Sequence, residues 1–405
     1  MNSIKAQQLK PCTLAAEKSA EAGAAPWEAG LQHIQRPVLP LPSVLQRNCQ
    51  VKWGTVTQVL PQRVGSWHEL QPQLLPNNRN PHRNDVLAGR IVKTGRHSAV
   101  ELSSGRKAEL YPGDILVGAF GNRYATAQYE GRVPERLDYY HMLSQGAVFG
   151  EVMSASYSMS DPTIIEPLGY LSTPDGVVLN LTQHGLAEIP GSPRIPTLLI
   201  IGASMDAGKT TTAANLIHGL SLAGWHVNAG KLTGTGCAKD IHKMLDAGAR
   251  RVLDFTHCGF CSTAETTNEE LHSISSTLIS HLSQGKPDLL VLEIADGIIQ
   301  KETQRLVRML VTEQKVDGAM LAIHDVLSAG SGADIVERQF KLPLLGISGA
   351  VTQSPLSTAE LRSVTNIPVY DMPALADPII ALALEPLLER AAKVKNVQWH
   401  SIAAG

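Results

Sequence analysis

An α/β fold is what the sequence predicts, with a parallel sheet in the C-terminal half and a small β-rich domain before it. Three observations predict it. From Pro196 onward, short apolar runs alternate with stretches of helical spacing, the pattern of a parallel sheet covered on both faces. Between Asp85 and Leu181, short β-type runs are separated by turn signals, which suggests a small barrel or sandwich. At the start of the C-terminal half, the apolar run Thr197-Leu198-Leu199-Ile200-Ile201 leads through a glycine-bearing turn into a stretch where Ala213, Ile217, Leu220 and Gly224 recur at helical spacing.

Length and composition agree with this class. At 405 residues the chain has room for two or three domains. Apolar residues make up 43% and aromatics 4%, so the packing is aliphatic. The net charge of −2 gives no sign of a nucleic-acid surface or an anionic membrane partner. No apolar run approaches the roughly 20 residues that span a bilayer. The N-terminus lacks an apolar signal-peptide core, and a cytoplasmic protein is expected. The five cysteines, Cys12, Cys49, Cys237, Cys258 and Cys261, are too few and odd in number for a disulfide framework. Cys258 and Cys261 form a C-x-x-C, which can be half of a zinc site or a redox pair; a zinc site would need His242 or Cys237 to fold nearby, and reduced cysteines in a loop are expected.

Taken in order, residues 1–43 read as a poorly ordered tail ending in the proline-stiffened segment 37–42. Residues 44–190 form the β-rich domain. Its first part, 44–75, carries short alternations that suggest a peripheral strand pair, and 76–81 is a turn or linker. Strands are then expected at 86–92, 99–102, 107–110, 115–120, 124–129, 147–153, 164–171 and 177–181, with a helix at 137–144. Arg123, Tyr124, Tyr139, Tyr140 and His141 are either lining residues of a pocket or ordinary half-buried sheet residues. A linker, 191–196, leads to the second domain, 196–395. There the expected order is strand 197–201, a helix, strand 227–230, a helix from 238, strand 251–255, helix 268–283, strand 289–293 and helix 301–313. Strand 318–323, helix 334–340, strand 344–348, short strand 368–370 and helix 378–393 complete it, and 396–405 is a frayed tail.

The turn itself is Gly202-Ala203-Ser204-Met205-Asp206-Ala207-Gly208-Lys209-Thr210-Thr211. Exposed amides at a helix N-terminus bind phosphate, and the small Ala207 and Gly208 let the backbone come close to it. The phosphate-contacting residues are therefore Ser204, Met205, Asp206, Ala207, Gly208, Lys209, Thr210 and Thr211. Lys209 can reach the β- and γ-phosphates and the Thr210 hydroxyl can hold Mg²⁺. One position departs from the usual motif: Ala203 stands where the first glycine is expected, and Gly202 lies one residue earlier. Ligands in such sheets gather beyond the carboxyl ends of the strands. Glu293 ends the apolar strand 289–293, where an unpartnered charge is costly, and it is assigned to the Mg²⁺ shell, with Asp296 the weaker choice. Lys231 ends the second strand and faces a γ-phosphate or a substrate carboxylate. The Gly/Thr-rich loop after it is a second anion cradle. Asp240 is either a third Mg²⁺ ligand or an acidic residue favourable in a first helical turn. Asp254, Thr256, His324, Asp325 and the segment Ser348-Gly349-Ala350 lie at other strand ends.

With the loop, Lys231, Asp240 and Glu293 in place, residues 197–375 resemble the dethiobiotin-synthetase-like branch of P-loop NTPases. More loosely, the whole chain resembles a two-domain bacterial branch that sets a small β domain before this nucleotide domain. The resemblance implies Mg-ATP binding, a homo-oligomer, and phosphoryl transfer that activates a small carboxylate or carbamate, with Lys209, Lys231 and Glu293 catalytic and Thr210, Glu293 and Asp240 on the metal. Ser204 replaces an Asp of that family's loop, and Glu293-Ile294-Ala295-Asp296-Gly297 replaces its Glu-Gly-Ala-Gly-Gly, so biotin synthesis itself is not expected. Three functions follow in order: an ATP-dependent ligase or ATPase; a GTP-binding adapter of molybdopterin-guanine dinucleotide biosynthesis; and an acyltransferase-like enzyme of amino-acid metabolism.

Overall fold

A computed structural model describes residues 51–60, 79–173 and 175–387. The expected tails 1–43 and 396–405, residues 44–50 and 61–78 of the expected strand pair and linker, and the end of the expected helix 378–393 lie outside these residues. The described residues fall in one compact unit.

The first sheet is built from β1 (Val51–Trp53), β2 (Val86–Lys93), β5 (Ile115–Phe120), β6 (Arg123–Tyr124), β7 (Tyr129–Arg132), β8 (Tyr140–Met142), β9 (Val148–Ala155) and β10 (Thr163–Tyr170). Its order is β1-β5-β2-β10-β8-β9-β7-β6, and β5 also pairs with β9. Strands β5, β2, β10, β8 and β9 therefore close a ring, which removes the exposed edges an open sheet would leave. The β6–β7 hairpin hangs from β9. A separate ribbon pairs β3 (Ala99–Glu101) with β4 (Lys107–Glu109). Leu87, Leu116, Phe120, Tyr140, Phe149 and Ile165 fill the ring, with Tyr140 edge-on to Phe120 at 5.3 Å.

Four expectations fail here. The sequence predicts a helix over 137–144, whereas Tyr140–Met142 is a strand that closes the gap between β10 and β9. Pairing and burial override local spacing at Tyr140 and Met142, both fully buried. The expected strand 124–129 is broken by a turn in which the Gln128 N–H donates to the Ala125 carbonyl. The expected strand 177–181 supplies isolated bridges through Val178 and Asn180, and a 3-10 turn starts at Leu181. Thr55–Thr57 is a 3-10 turn, so the alternation at 56–59 makes no strand.

The second sheet is parallel throughout. Its strands are β11 (Thr197–Gly202), β12 (Val227–Lys231), β13 (Arg251–Asp254), β14 (Leu289–Glu293), β15 (Gly318–Ala322) and β16 (Leu344–Ser348), in the order β13-β12-β14-β11-β15-β16. Alternation along β11 sends Leu198 and Ile200 into one core and Leu199 and Ile201 into the other. One face is covered by α1 (Lys209–Leu222) and α2 (Lys239–Asp246), through Leu216, Leu220, Ile241 and Met244. The other is covered by α3 (Asn268–Leu282) and α4 (Lys301–Thr312), through Ile274, Leu278, Leu306 and Leu310. The helix expected at 334–340 starts earlier, as α5 (Ser328–Asp334), with a π-helical turn at Ile335–Gln339. Its glycine-rich first turn has little helical propensity, and Asp325 supplies the missing signal by accepting from the Ser328 N–H and hydroxyl. A helix not foreseen, α6 (Pro355–Val364), opens on Ser354 and Pro355, a legible cap and first position. The expected strand 368–370 makes one bridge, Val369 to Ile347. In place of a helix from 378, two short helices, α7 (Met372–Ala376) and α8 (Ile380–Ala383), lie against α1.

Candidate functional site

β11 sits between β14 and β15, so its carboxyl end opens at the middle of the sheet. The chain leaves it through residues 203–208 and enters α1 at Lys209. Two residues turn the backbone: Asp206 at φ 59° and Gly208 at φ 95°. The second conformation favours glycine, and a Cβ on Gly208 would lie 2.9 Å from the Ala350 nitrogen. The Ala350 N–H also donates to the Ala207 carbonyl at 2.9 Å, which ties the loop to the end of β16. The displaced glycine has its own use. A Cβ on Gly202 would meet Lys209 Cδ at 2.8 Å, so Gly202 makes room for the lysine to fold back under the loop. There Lys209 Nζ donates to the Ser204 carbonyl at 2.9 Å.

The flanking strand ends bring the acidic residues to the loop. In the β12–β14 register Lys231 stands directly beside Glu293. The Thr210 hydroxyl donates to Glu293 Oε1 at 3.0 Å, and Lys231 Nζ lies 3.7 Å from the same oxygen. Lys231 also pairs with Asp240, which occupies the first turn of α2. Glu293 is 1% exposed, and its Oε2 has no hydrogen-bond partner among the described residues. Burial raises the Glu293 carboxyl above its ordinary value, against the pull of Lys231. Burial acts the other way on Lys231, but Glu293 and Asp240 overcome it and hold the ammonium above the usual lysine range. Asp240 is held below its ordinary value, because Lys231 outweighs the cost of burial. Lys209 is lowered by burial, with Glu293 and Asp296 opposing.

These residues line a cleft of about 400 Å³. It takes in Met205, Asp206, Gly208, Lys209, Thr210 and Thr211 from the loop, together with Lys231, Asp240 and Glu293. Ser204 and Ala207 hold the loop from behind through the carbonyl bonds just described. Arg123, Tyr124 and Ala125 close the cleft from the β6–β7 hairpin of the first sheet. Of the residues foreseen beside Arg123 and Tyr124, Tyr140 is buried in the ring and His141 accepts the Val152 N–H at 3.1 Å; neither these nor Tyr139 lines the cleft. Asp296 does line it, and burial raises its carboxyl. Asp254 is spent capping its own turn through Thr256 and His257, and Asp325 caps α5, so neither reaches the cleft.

The expected second anion cradle is altered. Four amides of the loop after β12 already donate: Leu232 to Glu293 O, Gly234 to Thr263 Oγ1, Gly236 to Cys261 O, and Ala238 to Glu101 Oε2. Positive charge comes instead from side chains of α2. Lys239 and Lys243, one turn apart on α2, both line the cleft, and Lys243 donates to Thr211 Oγ1 at 2.7 Å. Their i, i+4 spacing was the available signal. Cys258 and Cys261 face different partners, Ile274 O at 3.9 Å and Phe120 O at 3.1 Å. Among the described residues no group of three or more His, Cys, Asp or Glu is arranged to hold a metal ion, and no helix is long and apolar enough to cross a membrane.

Strand order, turn and helix together define an α/β fold of the P-loop kind. No family model and no curated protein sequence matches the chain. Solved structures with local likeness include the signal recognition particle receptor FtsY from Elizabethkingia anophelis, at 14% identity over 45% of this chain and 61% of that one, with a TM-score of 0.31. A DUF1611 family protein from Anabaena variabilis matches at 13% identity over 55% of this chain and 65% of that one, with a TM-score of 0.34. A nucleotide-binding protein from Archaeoglobus fulgidus, solved in complex with ADP, matches at 13% over 49% of this chain and 87% of that one, with a TM-score of 0.31.

Proposed function

We propose that the chain is a Mg-ATP-binding P-loop enzyme that transfers a phosphoryl group to a small carboxylate or carbamate, in the manner of dethiobiotin-synthetase-like ligases. The observation that carries this reading is the convergence of Thr210, Glu293, Lys231 and Asp240 beside the loop, with Thr210 Oγ1 3.0 Å from Glu293 Oε1. The loop amides and Lys209 would bind the triphosphate tail. Thr210, Glu293 and Asp240 are the residues that would hold Mg²⁺, and the unpartnered Oε2 of Glu293 fits that role. Magnesium keeps several of its waters, so one or two carboxylates are enough. When bound, Mg-ATP would supply the transferable phosphoryl group.

The protein's contribution is then positioning and charge. Lys209 and Lys231 would stabilise charge on the transferred group, and Lys239 and Lys243 would raise the anion affinity of the cleft. Residues 44–190 would complete the acceptor side, and 196–395 the nucleotide side. A carboxylate acceptor is already ionised at neutral pH and needs no base; its oxygen would form the bond to phosphorus as the bond to the bridging oxygen breaks.

The test is ATP turnover with a panel of small carboxylates, in wild type and Lys209→Ala. Carboxylate-stimulated ADP release, lost in a folded Lys209→Ala protein, is the expected result; unchanged turnover in that variant refutes it. A GTP preference with slow hydrolysis would favour the adapter, and acyl-CoA binding in place of nucleotide would favour an acyltransferase.

A further inference from the structure

Arg123 is a buried cation with no carboxylate at ion-pair distance among the described residues; Asp296, on the same cleft, acts on it only from farther off. Arg123 is 8% exposed, at the start of β6, where it pairs with Gly131 of β7. Its Nη2 donates to Gln128 Oε1 at 2.5 Å. Its Nη1 lies 3.4 Å from His97 Nε2, but that nitrogen is 3.0 Å from the Leu143 carbonyl. A carbonyl accepts only, so His97 Nε2 carries the hydrogen and offers Arg123 no lone pair. Among the described residues Arg123 Nε is buried with no hydrogen-bond partner. Among the described residues Arg123 makes no ion pair, whereas Arg83, Arg90 and Arg194 each pair with a carboxylate.

A buried guanidinium without a counter-charge is costly. Burial lowers its pKa to about 10, with Asp296 opposing, so it stays charged at neutral pH. Replacing a neighbour with a carboxylate would relieve it, yet Gln128 and a neutral His97 stand there: burial and the Arg123 charge hold the imidazole down at about 4. Arg123 itself lines the cleft that holds Lys209 and Thr210. The loop, Lys209 and Lys243 already serve the phosphate side.

We infer that Arg123 is the anchor for a carboxylate group of the acceptor, bound in the same cleft as the nucleotide but from the first sheet. This rests on the proposed reading of the cleft. The planar fork of an arginine matches a carboxylate through two parallel N–H bonds. Tyr124 and Ala125, next in the chain, flank the same wall, so the acceptor is a small carboxylic acid gripped by its carboxylate.

The experiment uses the full chain and three probes: acetate, succinate and inorganic phosphate. Each is titrated by thermal shift, with and without saturating Mg-ADP, in wild type, Arg123→Met and Arg123→Lys. The expected result is a saturable stabilisation of wild type by succinate or acetate, weakened about tenfold or more in both variants because Lys lacks the fork. Mg-ADP affinity stays within about twofold in both. Arg123→Met removes an unpaired buried charge, so its ligand-free urea midpoint holds or rises, which excludes misfolding. The inference is overturned if the carboxylate response survives in Arg123→Met, if wild type answers to phosphate alone, or if Mg-ADP affinity falls with the substitution, which would make Arg123 a nucleotide contact. Failure of wild type to bind Mg-ADP at all would sink the nucleotide reading instead, and the nucleotide-free titration would still report on Arg123.

Discussion

Replacing Lys231 with Met removes the cation that, among the described residues, contacts both Glu293 and Asp240. Breaking a buried pair by deleting one partner costs about 3–5 kcal/mol, because the other charge stays buried. Glu293 meets that condition at 1% exposed, while the Asp240 side chain keeps 23% of its surface and reaches water. The loss should therefore sit near the lower end, about 3 kcal/mol at pH 8. Its pH dependence has a defined sign. Burial already raises the Glu293 carboxyl above its unfolded value, and loss of Lys231 raises it further. The folded variant then binds the more protons, so its stability falls as pH rises and the deficit shrinks toward pH 5. Urea unfolding of wild type, Lys231→Met and Lys231→Met/Glu293→Gln at pH 5 and pH 8 measures this, and the double variant should regain more than half of the loss. A deficit below about 1 kcal/mol at pH 8, or one that does not vary with pH, would refute the buried-pair argument.

Three further predictions use other parts of the molecule. Gly202→Ala puts a Cβ 2.8 Å from Lys209 Cδ; displacing that lysine should weaken nucleotide binding about tenfold by calorimetry, with a small change in unfolding midpoint. Tyr140→Phe removes a buried hydroxyl that has no partner among the described residues, so the variant should be as stable as wild type or up to about 1 kcal/mol more stable in urea. His97 and His141 are both held down at about 4, chiefly by burial, against 6.5 when unfolded. Their contribution is present above pH 6.5 and is lost as pH falls toward 4, by at most about 3 kcal/mol each. His141→Asn should flatten the stability profile between pH 7 and 5, and an unchanged slope would exclude His141 from it.

The C-terminal sheet was legible because each of its strands is a short apolar run ended by a polar or glycine signal, as at Gly202, Lys231 and Glu293. The same ends located the Glu293–Thr210 contact. What stayed hidden depended on partners far away in the chain. Tyr140–Met142 is a strand because β9 and β10 flank it, and nothing within 137–144 announces that. The turn after Tyr124 carries no glycine or proline, so the hairpin that aims Arg123 into the cleft leaves no local mark. The loop after β12 looked like an anion cradle because its composition is right; its amides are consumed by Thr263, Cys261 and Glu101, residues remote in sequence. Gly202 taught the opposite lesson, since a glycine one place out of register serves the lysine side chain as well as the turn.

Direct binding of Mg-ATP and Mg-GTP by calorimetry, in wild type and Lys209→Ala, tests the central claim that residues 203–211 hold a triphosphate tail. One site per chain is expected in wild type, with an affinity lower by about a hundredfold in the variant at an unchanged urea midpoint. Equal affinity in the two proteins would contradict it.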